Sequence, residues 1–179
     1  TGLGQIGLGG VPAQGVADGK GMLYVGMQDA QGSVTAVDVK TMKATAHYPL
    51  GDKGRCNGLA FDAKNQVLFA ACGNSGNPPE QPAKPMMVIL SAKDGKILTT
   101  LPLAGGSDGA AFNPKTMEAF STHGNGTLTD VKEKSPMSFE VEPNLDTMHG
   151  ARTLTFDSKA GHMLTCSQER GPARAGVPG

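Results

Sequence analysis

Apolar residues recur along this chain in short bursts: GMLYVG (21–26), SVTAVDV (33–39), QVLFAAC (66–72), MMVILSA (86–92), KILTTLPL (96–103), MEAFST (117–122), TLTDV (127–131) and HMLTCS (162–167). Each is bounded by Gly, Pro, Asn, Asp or Ser, and none sustains the 3.6-residue period of an amphipathic helix, so each predicts a β-strand. The fold class that follows is all-β. Asp18-Gly19, Gln31-Gly32, Asp94-Gly95, Asn113-Pro114 and Asn125-Gly126 punctuate the bursts. Asn-Gly and Asp-Gly suit tight hairpins because both residues reach positive φ cheaply.

The bursts are organised as repeats. A unit of an apolar or aromatic anchor, Asp or Asn, small residues with Lys, and a second apolar strand eight residues on occurs four times: Val16–Tyr24, Phe61–Phe69, Phe112–Phe120 and Phe156–Leu164. The anchors lie 45, 51 and 44 residues apart. A second unit follows in the same order, from Val34, from Met87 and, more loosely, from Gly126. Two hairpins per period of ~40 to 45 residues is the signature of four-stranded propeller blades. The wider middle spacing comes from GNSGNPPEQPAKP (Gly73–Pro85), an insertion whose Pro and Asn content reads as a surface loop. Phe61, Phe69, Phe112, Phe120 and Phe156 are expected to pack between blades.

DGKGMLYVG (Asp18–Gly26), TAVDVKTMKATAHYPLG (Thr35–Gly51), NGLAFDAKNQVLFAACGN (Asn57–Asn74), SDGAAFNPKTMEAFSTHGNGTLT (Ser107–Thr129) and GARTLTFDSKAGHML (Gly150–Leu164) together resemble the YVTN-type β-propeller repeat family. That family is usually seven-bladed and found in exported proteins, so the resemblance implies a propeller acting in a periplasmic or secreted setting. Only Tyr24-Val25-Gly26 represents the YVTN string itself. At a mean spacing of about 47, 179 residues supply about four blades, against 4 to 8 in a closed ring. The expected organisation is a partial propeller. Residues 1–10, with Leu3–Leu8 as its strand, form the outer strand of a preceding blade; 11–51 form a blade, 52–104 a blade with the 73–85 insertion, 105–147 a blade and 148–179 an incomplete one. Unpaired strand edges attract other strands, so a second copy or a further segment is expected to complete the ring.

Composition narrows the function classes. Gly and Pro reach about 21% of the chain, below the level at which structureless sequence becomes the default. Sixteen basic and sixteen acidic residues give zero net charge, and there are six Phe, two Tyr and no Trp. Single-strand binders need basic grooves and stacking platforms, so nucleic acid is not an expected partner. No apolar run approaches the ~18 residues of a membrane-spanning helix, so no membrane span is expected. Gly2-Leu3-Gly4-Gln5-Ile6-Gly7 matches G-x-G-x-x-G, but no strand precedes it and Gly9, Gly10 and Pro12 oppose the required helix. Asn125-Gly126-Thr127 fits a glycosylation pattern but reads better as a turn.

Cys56 and Cys72 are symmetric about a hairpin centred near residue 64, which places them opposite each other. That position permits a disulfide and equally two buried thiols acting as small apolar residues. Similar cysteine pairs in exported members of the resembled family lean towards the bond. Cys166 is left single. His47, His123, His149 and His162 show no metal-ligand spacing, and no motif requires a cofactor. Aligning the repeats on their anchors places Asn57, Asp108 and Arg152 in one column, four residues before the anchor. Met27, Cys72, His123 and Ser167 fill a second; Asp29, Asn74, Asn125 and Glu169 fill a third. In a propeller these columns fall on one rim of the channel, where successive blades bring side chains together. Asn57, Asp108, His123, His149 and Arg152 are therefore the expected ligand-binding residues at the channel mouth, for a small molecule or a protein. The expected role is a binding or scaffolding module, with no catalytic residue assigned. The alternative is a propeller lyase or hydrolase using a rim His with a divalent metal. Asp108 and Arg152 could also be an ordinary pair between neighbouring blades.

Overall fold

The computed structural model describes residues 4–51, 53–74 and 84–168. Fifteen strands and no helix occupy them. β1 (Pro12–Ala17), β2 (Met22–Met27), β3 (Ser33–Asp38) and β4 (Lys43–Pro49) form one antiparallel sheet in chain order. β5 (Arg55–Asp62), β6 (Val67–Asn74), β7 (Met86–Ser91) and β8 (Ile97–Pro102) form a second. β9 (Ser107–Asn113), β10 (Glu118–His123), β11 (Thr127–Ser135) and β12 (Ser138–Val141) form a third. Its outer strand continues after Pro143 as β13 (Leu145–Asp146), which also pairs with β11; Pro143 has no N–H to donate, which explains the interruption. β14 (Thr153–Asp157) and β15 (His162–Cys166) make a two-stranded fourth sheet. The first strands β1, β5, β9 and β14 lie side by side across the sheets, so they are the inner strands of an arc.

Two apolar cores lie between successive sheets. Tyr24, Val34 and Ala36 pack on Leu59, Leu68, Ala70, Val88 and Leu90. On the other face of the second sheet, Ala60, Phe69, Met87 and Ile89 pack on Ala110, Ala119 and Val131. The second sheet is thus covered on both sides. This is why Val67–Cys72 and Met87–Leu90 are unbroken apolar runs, every residue buried, rather than alternating ones. Tyr24 and Phe61 rings meet at 5.4 Å across the first junction, and Phe112 stacks on Phe69 at 5.4 Å across the second. Phe120 and Phe156 depart from the expected inter-sheet packing: both are half-buried and belong to neither core. Phe120 alternates with the core residue Ala119 and so points towards the fourth sheet, whose two described strands cannot cover it.

Two further corrections concern the repeats. Gly4–Leu8, expected to lie in the outer strand of a preceding blade, is in no strand; Leu3 falls outside the described residues. With glycine at 4, 7, 9 and 10 the segment has little strand propensity. It passes instead beside the first sheet, where a Cβ on Gly4 would sit 3.3 Å from Met42 Cε and one on Gly10 3.4 Å from Met27 Cε. The equal eight-residue spacing also conceals a shift. Val16 pairs with Tyr24, whereas Phe61 pairs with Leu68, Phe112 with Ala119 and Phe156 with Met163, because the first hairpin turn holds one extra residue. Of the 73–85 insertion only residues 73–74 and 84–85 lie within the described residues.

The inner strands converge tightly. A Cβ on Gly58 would lie 2.8 Å from the carbonyl carbon of Gly109, so glycine is what lets β5 and β9 approach. Gln14 of β1 then reaches across both. Its Oε1 accepts from Leu59 N at 3.1 Å and from Ala110 N at 2.9 Å, and its Nε2 donates to Ala110 O at 2.8 Å. One amide so links three inner strands and satisfies backbone groups that no neighbouring strand pairs.

Polar burial at the second junction sets a pH dependence. Glu133 is 2% exposed and accepts from Asn65 Nδ2 at 2.8 Å, while its Oε2 and the Oδ2 of buried Asp62 have no donor. Burial first, then the charge and contact of Asp62, raise the Glu133 carboxyl to about 7, with Asn65 opposing. Asp130 is likewise raised to about 7 by burial and by Glu118 and Glu142.

Two outcomes are expected. The folded protein holds protons on these carboxyls that the unfolded chain has lost, so their contribution to stability is full below pH ~4 and declines as pH rises towards ~7. Glu133→Gln should flatten urea midpoints measured over that window; an unchanged slope would show that Glu133 is not the titrating group. Gln14→Ala should destabilise by ~1–3 kcal/mol, because Leu59 N and Ala110 N lose their acceptor; a loss within urea-titration error would mean that water replaces the amide.

Candidate functional site

Three residues separated by 51 and 44 positions in sequence meet at one end of the inner strands. Asp108 Oδ2 lies 3.3 Å from Arg152 Nη1, and its Oδ1 accepts from Asn57 Nδ2 at 3.4 Å. They line a cleft of about 440 Å³ together with Gln28, Arg55, Gly106, Gly124 and Asn125. Each comes from an equivalent place: β5, β9 and the entry to β14 bring one side chain apiece to the mouth.

Local backbone explains the aim of each. Arg55 pairs with Asn74, Cys56 with Cys72 and Gly58 with Ala71, so the register breaks on both sides of Cys56 and Asn57 has no partner on β6. Such an extra residue bends the strand and turns its side chain out of the ladder; Asn57 thereby faces Asp108. Cys56 points the opposite way into the first core and is joined to Cys72 by a disulfide, their Cα atoms 3.9 Å apart and both residues buried. Arg152 lies flat against the β10–β11 turn, where a Cβ on Gly124 would sit 2.8 Å from its Nε. Its carbonyl accepts from Thr122 Oγ1, which ties the entry of β14 to β10.

The cleft carries two guanidinium groups, one carboxylate and three amides. Arg152 is 64% exposed and Asp108 31%, and their pairing is a single contact rather than a two-pronged one. Such a pair contributes little to stability, ~0–1 kcal/mol. Arg55 is exposed and makes no ion pair among the described residues. Asn57 Oδ1 is buried without a donor. Asn125 is engaged, donating to Ala104 O and accepting from Thr127 Oγ1.

The two histidines expected at the mouth are not there. His123 is fully buried: its Nε2 lies 2.9 Å from Thr129 Oγ1, which donates to Asn144 Oδ1 and accepts from Ala104 N. Burial pushes its pKa below the ordinary histidine value, so it is a neutral core group serving the third sheet. The end of β10 turns it inward, towards polar partners on β11 and on the link after β12 that only the folded chain assembles. His149 is exposed, in the link before β14; its backbone covers Gly126 and it is not among the residues lining the cleft. Among the described residues no group of three or more His, Cys, Asp or Glu could hold a metal ion. Glu169, of the third column, lies outside the described residues. Arg55 and Gln28 are cleft residues that the column alignment misses. Arg55 was accessible through strand alternation, since 55 and 57 share a side while Cys56 takes the other.

Four-stranded antiparallel sheets arranged side by side around their first strands define a β-propeller, here a partial one. No protein-family profile and no curated protein matches the sequence. Among solved structures the chain is similar to the β-propeller domain of Cps50 (Swd1) from Myceliophteria thermophila, with a TM-score of 0.62 at 16% identity, covering 87% of this chain and 49% of that one. It is also similar to hydrazine synthase from Kuenenia stuttgartiensis, with a TM-score of 0.70 at 14% identity, covering 88% of this chain and 42% of that one. The likeness establishes the fold, and the chain spans about half the length of either structure.

Replacing both cysteines, as Cys56→Ala with Cys72→Ala, should lower the unfolding free energy by ~3 kcal/mol, the size expected for a closed loop of this length. Denaturant titration of oxidised wild type against the double variant measures it. Equal midpoints would mean that the crosslink does not constrain the unfolded chain. Cys166, exposed and unpaired, should be labelled by a thiol reagent in the native protein.

Proposed function

We propose that the chain is a binding or scaffolding propeller module, of the YVTN-type repeat kind, whose ligand enters at the channel mouth. The observation that carries this reading is the convergence of Asn57, Asp108 and Arg152 from three successive sheets on one solvent-open polar cleft. Their pairing adds little to stability, so the fold does not require these residue types there. The buried Cys56–Cys72 bond supports an oxidising, periplasmic or secreted setting. β15 pairs only with β14 among the described residues. Its open edge supports completion of the ring by a second copy or by further chain.

The expected result is that a small-molecule library, followed by thermal shift, contains at least one compound that raises the melting temperature of wild type but not of Arg152→Ala. The Arg152→Ala protein should itself melt within a few degrees of wild type. A library with no Arg152-dependent compound would defeat the reading. Sedimentation on the same samples addresses closure: a monomer with full ligand affinity would show that the arc binds without a completed ring.

A further inference from the structure

We propose that the ligand of this cleft is a small oxyanion, a carboxylate or a phosphate, held between Arg55 and Arg152, and that Asp108 is a built-in competitor for Arg152. The inference rests on the reading of the channel mouth as a binding site and adds to it the ligand's chemistry and the groups that select it.

The charge inventory comes first. The whole chain is neutral, yet the cleft lining holds two guanidinium groups against one carboxylate, the other side chains being the amides of Gln28, Asn57 and Asn125. Among the described residues Arg55 has no carboxylate partner. An anion of a few heavy atoms supplies a counter-charge, and a planar guanidinium matches carboxylate or phosphate oxygens in a two-pronged geometry.

Asp108 already displays the recognition chemistry. Among its contacts are a guanidinium, at 3.3 Å, and an amide N–H, at 3.4 Å. Those are the contacts an external carboxylate or phosphate would take. Both are long for charge-assisted bonds, and Arg152 is largely in water. The Arg152–Asp108 contact itself is long and solvated, the kind of ion pair that a competing anion can exchange with. Neutralising a competing internal anion should strengthen binding, whereas deleting an ordinary binding group should weaken it. That opposite sign separates a competitor from a contact residue.

The backbone that carries these groups is anchored. Arg55 and Asn57 flank Cys56, whose disulfide fixes the start of β5, and Arg152 is seated on Gly124 with its carbonyl bonded to Thr122. A fixed backbone lowers the ordering cost of binding to that of the side chains alone.

The test is calorimetric titration of the oxidised full chain with inorganic phosphate and, separately, with succinate at low salt. Wild type should bind one or both saturably, phosphate alone indicating a phosphate-bearing ligand and succinate alone a carboxylate. Arg55→Gln should weaken binding about tenfold or more, and Asp108→Asn should tighten it by about threefold or more. Added sodium chloride should weaken wild-type binding steeply. If Asp108→Asn proves poorly folded by circular dichroism, Asp108→Ser serves the same purpose. Failure of wild type to bind either anion, an unchanged affinity in Arg55→Gln, or weaker binding in a folded Asp108 variant would overturn the proposal. An Arg152-dependent neutral compound found beside absent anion binding would leave the binding-module reading standing and remove only this inference. Absence of any Arg152-dependent compound would remove both.

Discussion

A Cβ on Gly58 would meet the backbone of Gly109 at 2.8 Å, and one on Gly109 would meet Leu154 Cδ2 at 2.7 Å. The spacing of β5 and β9 is therefore set by backbone contact and that of β9 and β14 by the Leu154 side chain against a glycine, and the rest of the molecule follows from it. Close inner strands bring the sheet faces together, and only then do the two apolar cores close over Phe69, Met87, Leu59 and Leu68. The same approach leaves backbone groups of β5 and β9 facing the axis with no partner strand. Gln14 answers that deficit with a single amide, and its bonds to Leu59 and Ala110 hold the arc at its narrowest point. Side chains before the glycines are pushed to the mouth. Asn57 and Asp108 become neighbours because the residues after them have none.

The second sheet carries the load of this arrangement, having an apolar core on each face among the described residues. It is fastened at opposite ends by different chemistry. Near the mouth the Cys56–Cys72 bond ties β5 to β6. At the far end Asn65, in the turn between the same strands, donates to buried Glu133 of the third sheet. The first fastening is covalent and indifferent to pH. The second meets a carboxyl raised to about 7 by burial and by Asp62, a shift that the Asn65 bond opposes because it favours the charged form; losing that proton costs stability through burial of charge rather than through the Asn65 bond, and the disulfide is unaffected. Buried His123 works in the opposite sense: its lowered pKa makes acid costly below the ordinary histidine value. The two effects oppose each other in weakly acidic solution.

The class of fold was legible because strands in this chain are short, bounded and repeated, and periodic patterning survives without knowledge of contacts. The cysteine pairing geometry and the Asn57, Asp108 and Arg152 column were legible for the same reason: equivalent positions in repeats become equivalent positions in space. What escaped depended on departures from the repeat. Gln14 stands where Leu59, Ala110 and Leu154 stand in the other copies, and an alignment on anchors treats it as noise, although its polarity in an apolar column was visible. His123 was misplaced because its partners, Thr129 and Asn144, belong to other strands and to a link, and only packing unites them. Phe120 and Gly4–Leu8 departed from expectation for want of covering structure: a repeat predicts a partner surface wherever its pattern occurs, whether or not the described chain supplies one.

The channel side of the inner strands changes character along its length. Above Gln14 lie Arg55, Asn57, Asp108 and Arg152; below it Val16, Phe61, Phe112, Leu154 and Phe156 line a second groove. Of the lower groove, Val16, Phe61 and Phe112 continue the cores, while Leu154 and Phe156 belong to neither. The upper set does not continue the cores, and its Arg152–Asp108 contact is long, with Arg152 largely in water. At the column that forms it the repeats carry Pro12, Asn57, Asp108 and Arg152, four different chemistries on one backbone position. The strand-entry column thus varies in chemistry while the apolar anchors recur, and that contrast is what the proposed site at the cleft rests on.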